Sequence, residues 1–151
     1  MKKDTNKKII IGFSIGDYNG IGPEILLKSF SDSKLLHKFI PVVFCDKHIL
    51  EFYSKRYGYE FKIKETNNLD SITDENSIYT FPISNTEIEI LPGEIKKESG
   101  NYAVKSLEEC TNAQINDKID GIVTLPISKI NSQSLKFPFL GHTEYFLEKF
   151  N

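Results

Sequence analysis

Two stretches of the chain are continuously apolar. Residues 9–15 (Ile-Ile-Ile-Gly-Phe-Ser-Ile) and 40–45 (Ile-Pro-Val-Val-Phe-Cys) are rich in β-branched and aromatic side chains, which predicts strands buried on both faces. Residues 122–125 (Ile-Val-Thr-Leu) follow the Asp120-Gly121 turn signal, end at Pro126, and predict a third buried strand. Residues 59–64 alternate apolar and polar, as a half-exposed strand does. Two short strands are predicted at 77–83 and 87–91, with Ser84-Asn85-Thr86 as a hairpin turn and Pro92-Gly93 closing the second. The polar run 65–76 predicts a loop or short irregular turn.

Between these runs the period changes from two to about 3.6. Residues 23–30 begin a helix that extends toward Leu36. Asp46 is a good N-cap for a second helix carrying Ile49, Leu50, Phe52 and Tyr53, and Gly58 follows as its C-cap. Ala103, Leu107, Cys110, Ala113 and Gln114 recur at helical steps within 100–116, and 143–150 starts a last helix. Strands alternate with helices, so the predicted class is α/β, a largely parallel sheet flanked by helices. There is no internal repeat and no low-complexity segment.

The first apolar run leads directly into Gly16-Asp17-Tyr18-Asn19-Gly20-Ile21-Gly22-Pro23-Glu24. Glycines at 16, 20 and 22 allow positive φ and close approach of a ligand to the backbone. Pro23 suits the first helical position, and Glu24 suits the positive end of the helix dipole. The unit reads as strand, glycine loop, helix start, where a cofactor or anionic group is commonly bound. A tight connection without a ligand is the plain alternative. The spacing is neither the dinucleotide fingerprint nor a phosphate loop ending in Gly-Lys-Ser/Thr. Gly20 or Gly22 is expected to need a conformation or clearance that a Cβ would obstruct.

Two further segments stand at loops. Thr124-Leu125-Pro126-Ile127-Ser128-Lys129 follows the third buried strand, and Gly141-His142-Thr143-Glu144 precedes the last helix. The segments at 16–24 and 124–129 follow the carboxyl ends of predicted strands, the edge where ligands of open α/β sheets gather. His142 has a side chain that exchanges protons near neutral pH beside the free N–H groups of a helix start. Equally, Thr143 could be an N-cap and His142 a surface residue. Lys129 could pair with a phosphate or carboxylate, or simply be exposed. Asp17 could orient the glycine-loop amides or face the cleft, or equally close an Asx-turn that holds its own loop.

Taken in order, the three segments resemble the motifs of the 4-hydroxythreonine-4-phosphate dehydrogenase family, and the first is also similar to the shorter GDGIGPE of isocitrate and isopropylmalate dehydrogenases. Tyr18 stands where many members have Pro, Leu125 where Ala is usual, and Leu140 where Pro is common. The resemblance implies an isopropylmalate-dehydrogenase-like fold, incomplete here, with 1–151 as the N-terminal part and the second half absent. It implies oxidation of the secondary hydroxyl of 4-phosphooxy-L-threonine by NAD or NADP, then decarboxylation to 3-amino-2-oxopropyl phosphate, in vitamin B6 biosynthesis. It assigns substrate contact to His142 and Thr143 and no catalytic residue; Asp17, Gly20, Gly22 and Lys129 are candidate cleft residues on their own chemistry and placement. A divalent metal (Zn, Mg or Co) is implied for the complete enzyme, on three histidines outside this chain, together with the main NAD contacts and a homodimer. A non-catalytic phosphate-ligand-binding fragment is the alternative, and an unrelated small phosphate-binding α/β domain a third.

Composition changes this picture little. The 151 residues suffice for one sizeable core, and 39% hydrophobic with 26% charged residues fits a globular chain rather than a disordered one. A net charge of −2 gives no global field for nucleic acid. Lys2, Lys3, Lys7 and Lys8 precede only a short apolar run, so neither a signal peptide nor a membrane span is predicted, and a cytoplasmic location is expected. Cys45 and Cys110 fall in a strand and a helix and are expected to be buried thiols rather than a disulfide. His37 and His48 are expected to be surface or packing residues.

Overall fold

The computed structural model describes residues 8–31, 34–73, 76–84, 86–134 and 137–151. Lys2, Lys3, Lys7 and Asn85 lie outside them. Five strands, β1 (Ile10–Ser14), β2 (Ile40–Phe44), β3 (Ile63–Glu65), β4 (Ile78–Thr80) and β5 (Gly121–Thr124), form one sheet in the order β3-β4-β2-β1-β5. Every pairing is parallel. Among the described residues five α-helices accompany it, α1 (Gly22–Phe30), α2 (Lys47–Tyr57), α3 (Lys97–Ile115), α4 (Lys129–Ser132) and α5 (His142–Phe150), with a 3-10 turn at Leu69–Ser71. The expected α/β class with a parallel sheet is observed.

Successive residues of a strand point to opposite faces, and β1 shows what covers each. A Cβ on Gly12 would meet Cys110 Sγ at 2.9 Å, so that face carries α3. Phe13 faces the other way, edge-on to Phe30 of α1 with ring centroids 5.5 Å apart. Helices therefore cover both faces of the sheet centre. The β2 residues Val42, Val43 and Phe44 are buried, with Ile49, Leu50, Tyr53, Leu26, Leu27 and Phe30 from the helices around them. A second, smaller cluster ties α5 to α3 through Leu107, Phe137 and Tyr145.

Several predictions of element type are corrected. The 87–91 stretch is not a strand. Its end docks on the glycine loop instead, where Leu91 N donates to Asn19 Oδ1 at 2.8 Å and Gly93 N donates to the Asn19 carbonyl at 2.7 Å. Those bonds take backbone groups that a hairpin partner would have used. Of 59–64 only the end pairs, as β3, and 77–83 contributes three paired residues. β5 is not fully buried. It is an edge strand in the described sheet, and Val123 is 42% exposed. α1 stops at Phe30, where Ser31 folds its hydroxyl back onto the Lys28 carbonyl. Asp46 occupies the N-cap position of α2 without capping it, because its carboxylate is engaged by α3. Gly58 ends α2 in the left-handed conformation, as expected (φ 72°). α4 arises from residues in which no helix was predicted.

Candidate functional site

The strand order itself marks the site. The connection from β1 leads to β2 on one side, whereas β5 arrives on the other side of β1. The carboxyl edge at such a reversal of strand order is where open α/β sheets gather their ligands. The glycine loop leaves β1 and the Thr124–Lys129 segment leaves β5, so these two sequence motifs meet at that point.

Their contact is close and mostly backbone. Asp17 N donates to the Pro126 carbonyl at 3.0 Å. Gly16 is in the left-handed region (φ 71°), and a Cβ there would overlap the Pro126 carbonyl oxygen. On Gly22 a Cβ would stand 2.7 Å from the Ile15 carbonyl oxygen and 3.3 Å from Leu125 Cβ. Gly22 therefore needs clearance, as expected. Gly20 needs less, because it is exposed, does not take positive φ, and would bring its Cβ no nearer than 3.3 Å to the Asp17 carbonyl. The glycine with the strongest requirement is Gly16, which sequence reasoning placed in the loop but did not single out. Its signal lies in a neighbour 110 positions away, invisible to local pattern.

Asp17 is buried and acts inside the loop. Its Oδ1 accepts from Asn19 N at 2.9 Å, closing an Asx-turn, and its carbonyl accepts from Gly20 N at 2.9 Å. Its Oδ2 accepts from Asn131 Nδ2 at 2.8 Å. Of the two readings open for Asp17, the structure shows the loop-holding one. Tyr18, the departure from Pro, is buried against Tyr102, with ring centroids 5.2 Å apart at 84°. Its carbonyl accepts from Tyr53 Oη at 2.6 Å, and burial pushes the Tyr53 phenol up to about 12, so it stays a donor.

α3 positions this edge from behind. Ser99, Tyr102, Ser106 and Cys110 recur at three- and four-residue steps along one side of the helix. Ser106 Oγ donates to the Phe44 carbonyl at 2.7 Å and accepts from Ile15 N at 2.9 Å, bridging the ends of β2 and β1. Tyr102 Oη donates to Asp46 Oδ2 at 2.5 Å and accepts from Asp46 N at 2.8 Å. Burial, reinforced by Cys45 and Asp46, holds the Tyr102 phenol protonated. Cys45 and Cys110 are both free and buried, and burial raises both thiols.

The third motif sits at the start of α5, with Gly141 at the N-cap position and His142 as first residue. Thr143 is therefore not the N-cap. Thr143 and Lys129 are exposed. His142 is half-buried. Burial lowers its pKa from the ordinary 6.5, so the neutral imidazole dominates at pH 7. Its Nε2 is buried and has no hydrogen-bond partner among the described residues. Ser14 Oγ, Asn19 Nδ2, Ser54 Oγ and Asn131 Oδ1 share that status among the described residues. His37 and His48 are exposed on the surface, as expected. Among the described residues no group of three or more His, Cys, Asp or Glu could hold a metal ion, so these residues do not by themselves fit a divalent cation. None of the described helices is long and apolar enough to cross a membrane.

A parallel sheet covered by helices on both faces, with a glycine loop after its first strand, defines the class as a doubly wound α/β fold. Comparison narrows it: residues 37–151 match the family of pyridoxal phosphate biosynthetic protein PdxA, and the chain belongs to that family. The 4-hydroxythreonine-4-phosphate dehydrogenase of Bacteroides thetaiotaomicron is 32% identical over 142 residues, covering 94% of this chain and 39% of the relative. That of Sulfurihydrogenibium sp. is 33% identical over 139 residues, covering 91% and 42%. The crystal structure of the enzyme from Burkholderia phymatum superposes with a TM-score of 0.85 at 23% identity, over 95% of this chain and 44% of that one. The chain thus spans about two fifths of the length of the curated relatives it matches.

Proposed function

We propose that this chain is the substrate-phosphate-binding part of an NAD- or NADP-dependent 4-hydroxythreonine-4-phosphate dehydrogenase. In this reading the complete enzyme oxidises the secondary hydroxyl of 4-phosphooxy-L-threonine. Loss of CO₂ from the β-keto acid then gives 3-amino-2-oxopropyl phosphate, within vitamin B6 biosynthesis. The observation that carries the reading is the buried Nε2 of His142 at the head of α5, which has no partner among the described residues. In the tautomer with its proton on Nε2, the neutral imidazole donates to a phosphate or hydroxyl oxygen. The Thr143 hydroxyl adds a second donor, and the free N–H groups of the first turn of α5 add partial positive charge. Lys129 contributes a point charge from the start of α4. The glycine loop, held by Asp17 and cleared at Gly16 and Gly22, forms the opposite wall.

The divalent metal and the main cofactor contacts belong, in this proposal, to the part of the relatives that this chain does not span. The complete enzyme would work in the cytoplasm as a homodimer. The test is NADH or NADPH production from 4-phosphooxy-L-threonine with added Zn²⁺, Mg²⁺ or Co²⁺. The chain alone should give none. The chain fused to the remaining three fifths of the Bacteroides relative should turn over, and His142→Ala in the fusion should lower kcat/KM at least tenfold, about 1.4 kcal/mol. Turnover by the chain alone, or a His142→Ala effect within about twofold in an active fusion, would overturn the reading.

A further inference from the structure

Asn131 carries a role that its sequence context did not signal. Its Nδ2 lies 2.8 Å from Asp17 Oδ2 in the glycine loop, 2.8 Å from the Lys96 carbonyl at the head of α3, and 3.2 Å from Ser99 Oγ. The Asp17 carboxylate and the Lys96 carbonyl have no proton to give, and they match the two hydrogens of the amide. Ser99 Oγ donates to the Lys96 carbonyl, 3.0 Å away. The amide therefore keeps one orientation, since turning it over would aim Oδ1 at a carboxylate and a carbonyl. It holds that orientation although its Oδ1 is left buried without a partner among the described residues. The backbones are equally close, because a Cβ on Gly100 of α3 would overlap the Asn131 carbonyl oxygen.

Asp17, the residue that Asn131 grips, is the hub of the loop. It receives Asn19 N and Gly20 N and sends its own N–H to Pro126. We propose that Asn131 is a positioning residue whose amide fixes the glycine loop against the Thr124–Lys129 segment and the head of α3 at the carboxyl ends of β1 and β5. The ligand served is the phosphorylated hydroxy amino acid of the proposed function, and only the binding arm of the test rests on that reading.

The experiment is amide hydrogen exchange followed by NMR on the 151-residue chain and on Asn131→Ala, Asn131→Asp and Gly100→Ala. Asp17, Asn19 and Gly20 report on the loop. Ile78 and Phe81, bonded to Lys62 and Val43, report on the far side of the sheet. Loop exchange should accelerate at least tenfold in each variant while the far amides change less than threefold. Loop exchange within twofold of wild type overturns the proposal, and so does equal acceleration everywhere, which would mean a generally structural role. Asn131→Ala adds no charge and Gly100→Ala leaves the amide in place, so the set remains decisive if Asn131→Asp does not fold.

Asn131→Asp adds a pH signature. It places a second carboxyl against Asp17, so the folded state favours the protonated pair and the Tm deficit should shrink from pH 7 to pH 4. Of the other titratable groups around this junction, Lys96, Lys97, Glu98 and Lys129 are exposed and Tyr18 and Tyr102 are buried, and all are common to both proteins. A deficit independent of pH would show that the donor is not what matters at this position. Finally, an NMR titration with 4-phosphooxy-L-threonine should show at least tenfold weaker binding by Asn131→Ala. A wild-type chain that binds none refutes the functional reading, and the exchange data still decide the role of Asn131.

Discussion

At the scale of single residues, the junction between the glycine loop and the Thr124–Lys129 segment depends on side chains that glycine lacks. Gly16 combines positive φ with contact to the Pro126 carbonyl, so Gly16→Ala incurs the left-handed penalty of about 1–2 kcal/mol plus the displacement of a backbone segment. Gly22→Val, with negative φ but a carbonyl 2.7 Å from its Cβ, should cost more than about 1 kcal/mol, and Gly20→Val distinctly less than either. Urea midpoints of the three variants give the order directly, and Gly20→Val as the worst of them would contradict it. His142 yields a pH dependence. Its folded pKa is lowered by burial, so between that value and the ordinary 6.5 the unfolded chain binds more protons. The stability it contributes as a neutral ring is complete above about pH 6.5 and is lost as pH falls through the folded value. Wild type should therefore lose more stability than His142→Gln between pH 7.5 and 5, measured by denaturant unfolding at both values. Equal losses would mean that the ring titrates as freely as in the unfolded chain.

At the scale of elements, α3 organises the site. Its start and middle bond to the glycine loop through Asn131, to β1 and β2 through Ser106, and to the start of α2 through Tyr102. Tyr102→Phe keeps the ring against Tyr18 but strands the Asp46 carboxylate and N–H. A loss of about 1–3 kcal/mol is expected, the cost of leaving buried polar groups unsatisfied. Thermal unfolding checks it, and an unchanged Tm would mean that Ser84 N, 3.4 Å from Asp46 Oδ1, or solvent replaces the phenol. The same element shows where sequence reading reaches its limit. Helical period correctly placed 100–116 on a helix, because buried apolar residues repeat along it. It could not show that Ser99, Tyr102 and Ser106 on that helix serve as donors and acceptors for four other segments. Asp46 failed in the complementary way: its type suits an N-cap, but a phenol 56 residues away took the carboxylate.

At the scale of the whole molecule, the buried runs at 9–15 and 40–45 became the two central strands, since only a centre covered on both faces makes such runs stable. The 122–125 run was equally apolar yet lies at the edge of the described sheet, because strand order is set by crossovers and not by composition. The sequence by itself determined the α/β class, the main helices, the buried thiols and the three motifs, all of which depend on local period and on residues adjacent in the chain. Tertiary structure alone decided that two of those motifs meet at the switch point, that Gly16 outranks Gly20, that 87–91 docks rather than pairs, and that Asn131 grips Asp17. Each of these rests on a contact between residues many positions apart, whose geometry is fixed only when strand order and helix packing bring their backbones within a few ångströms.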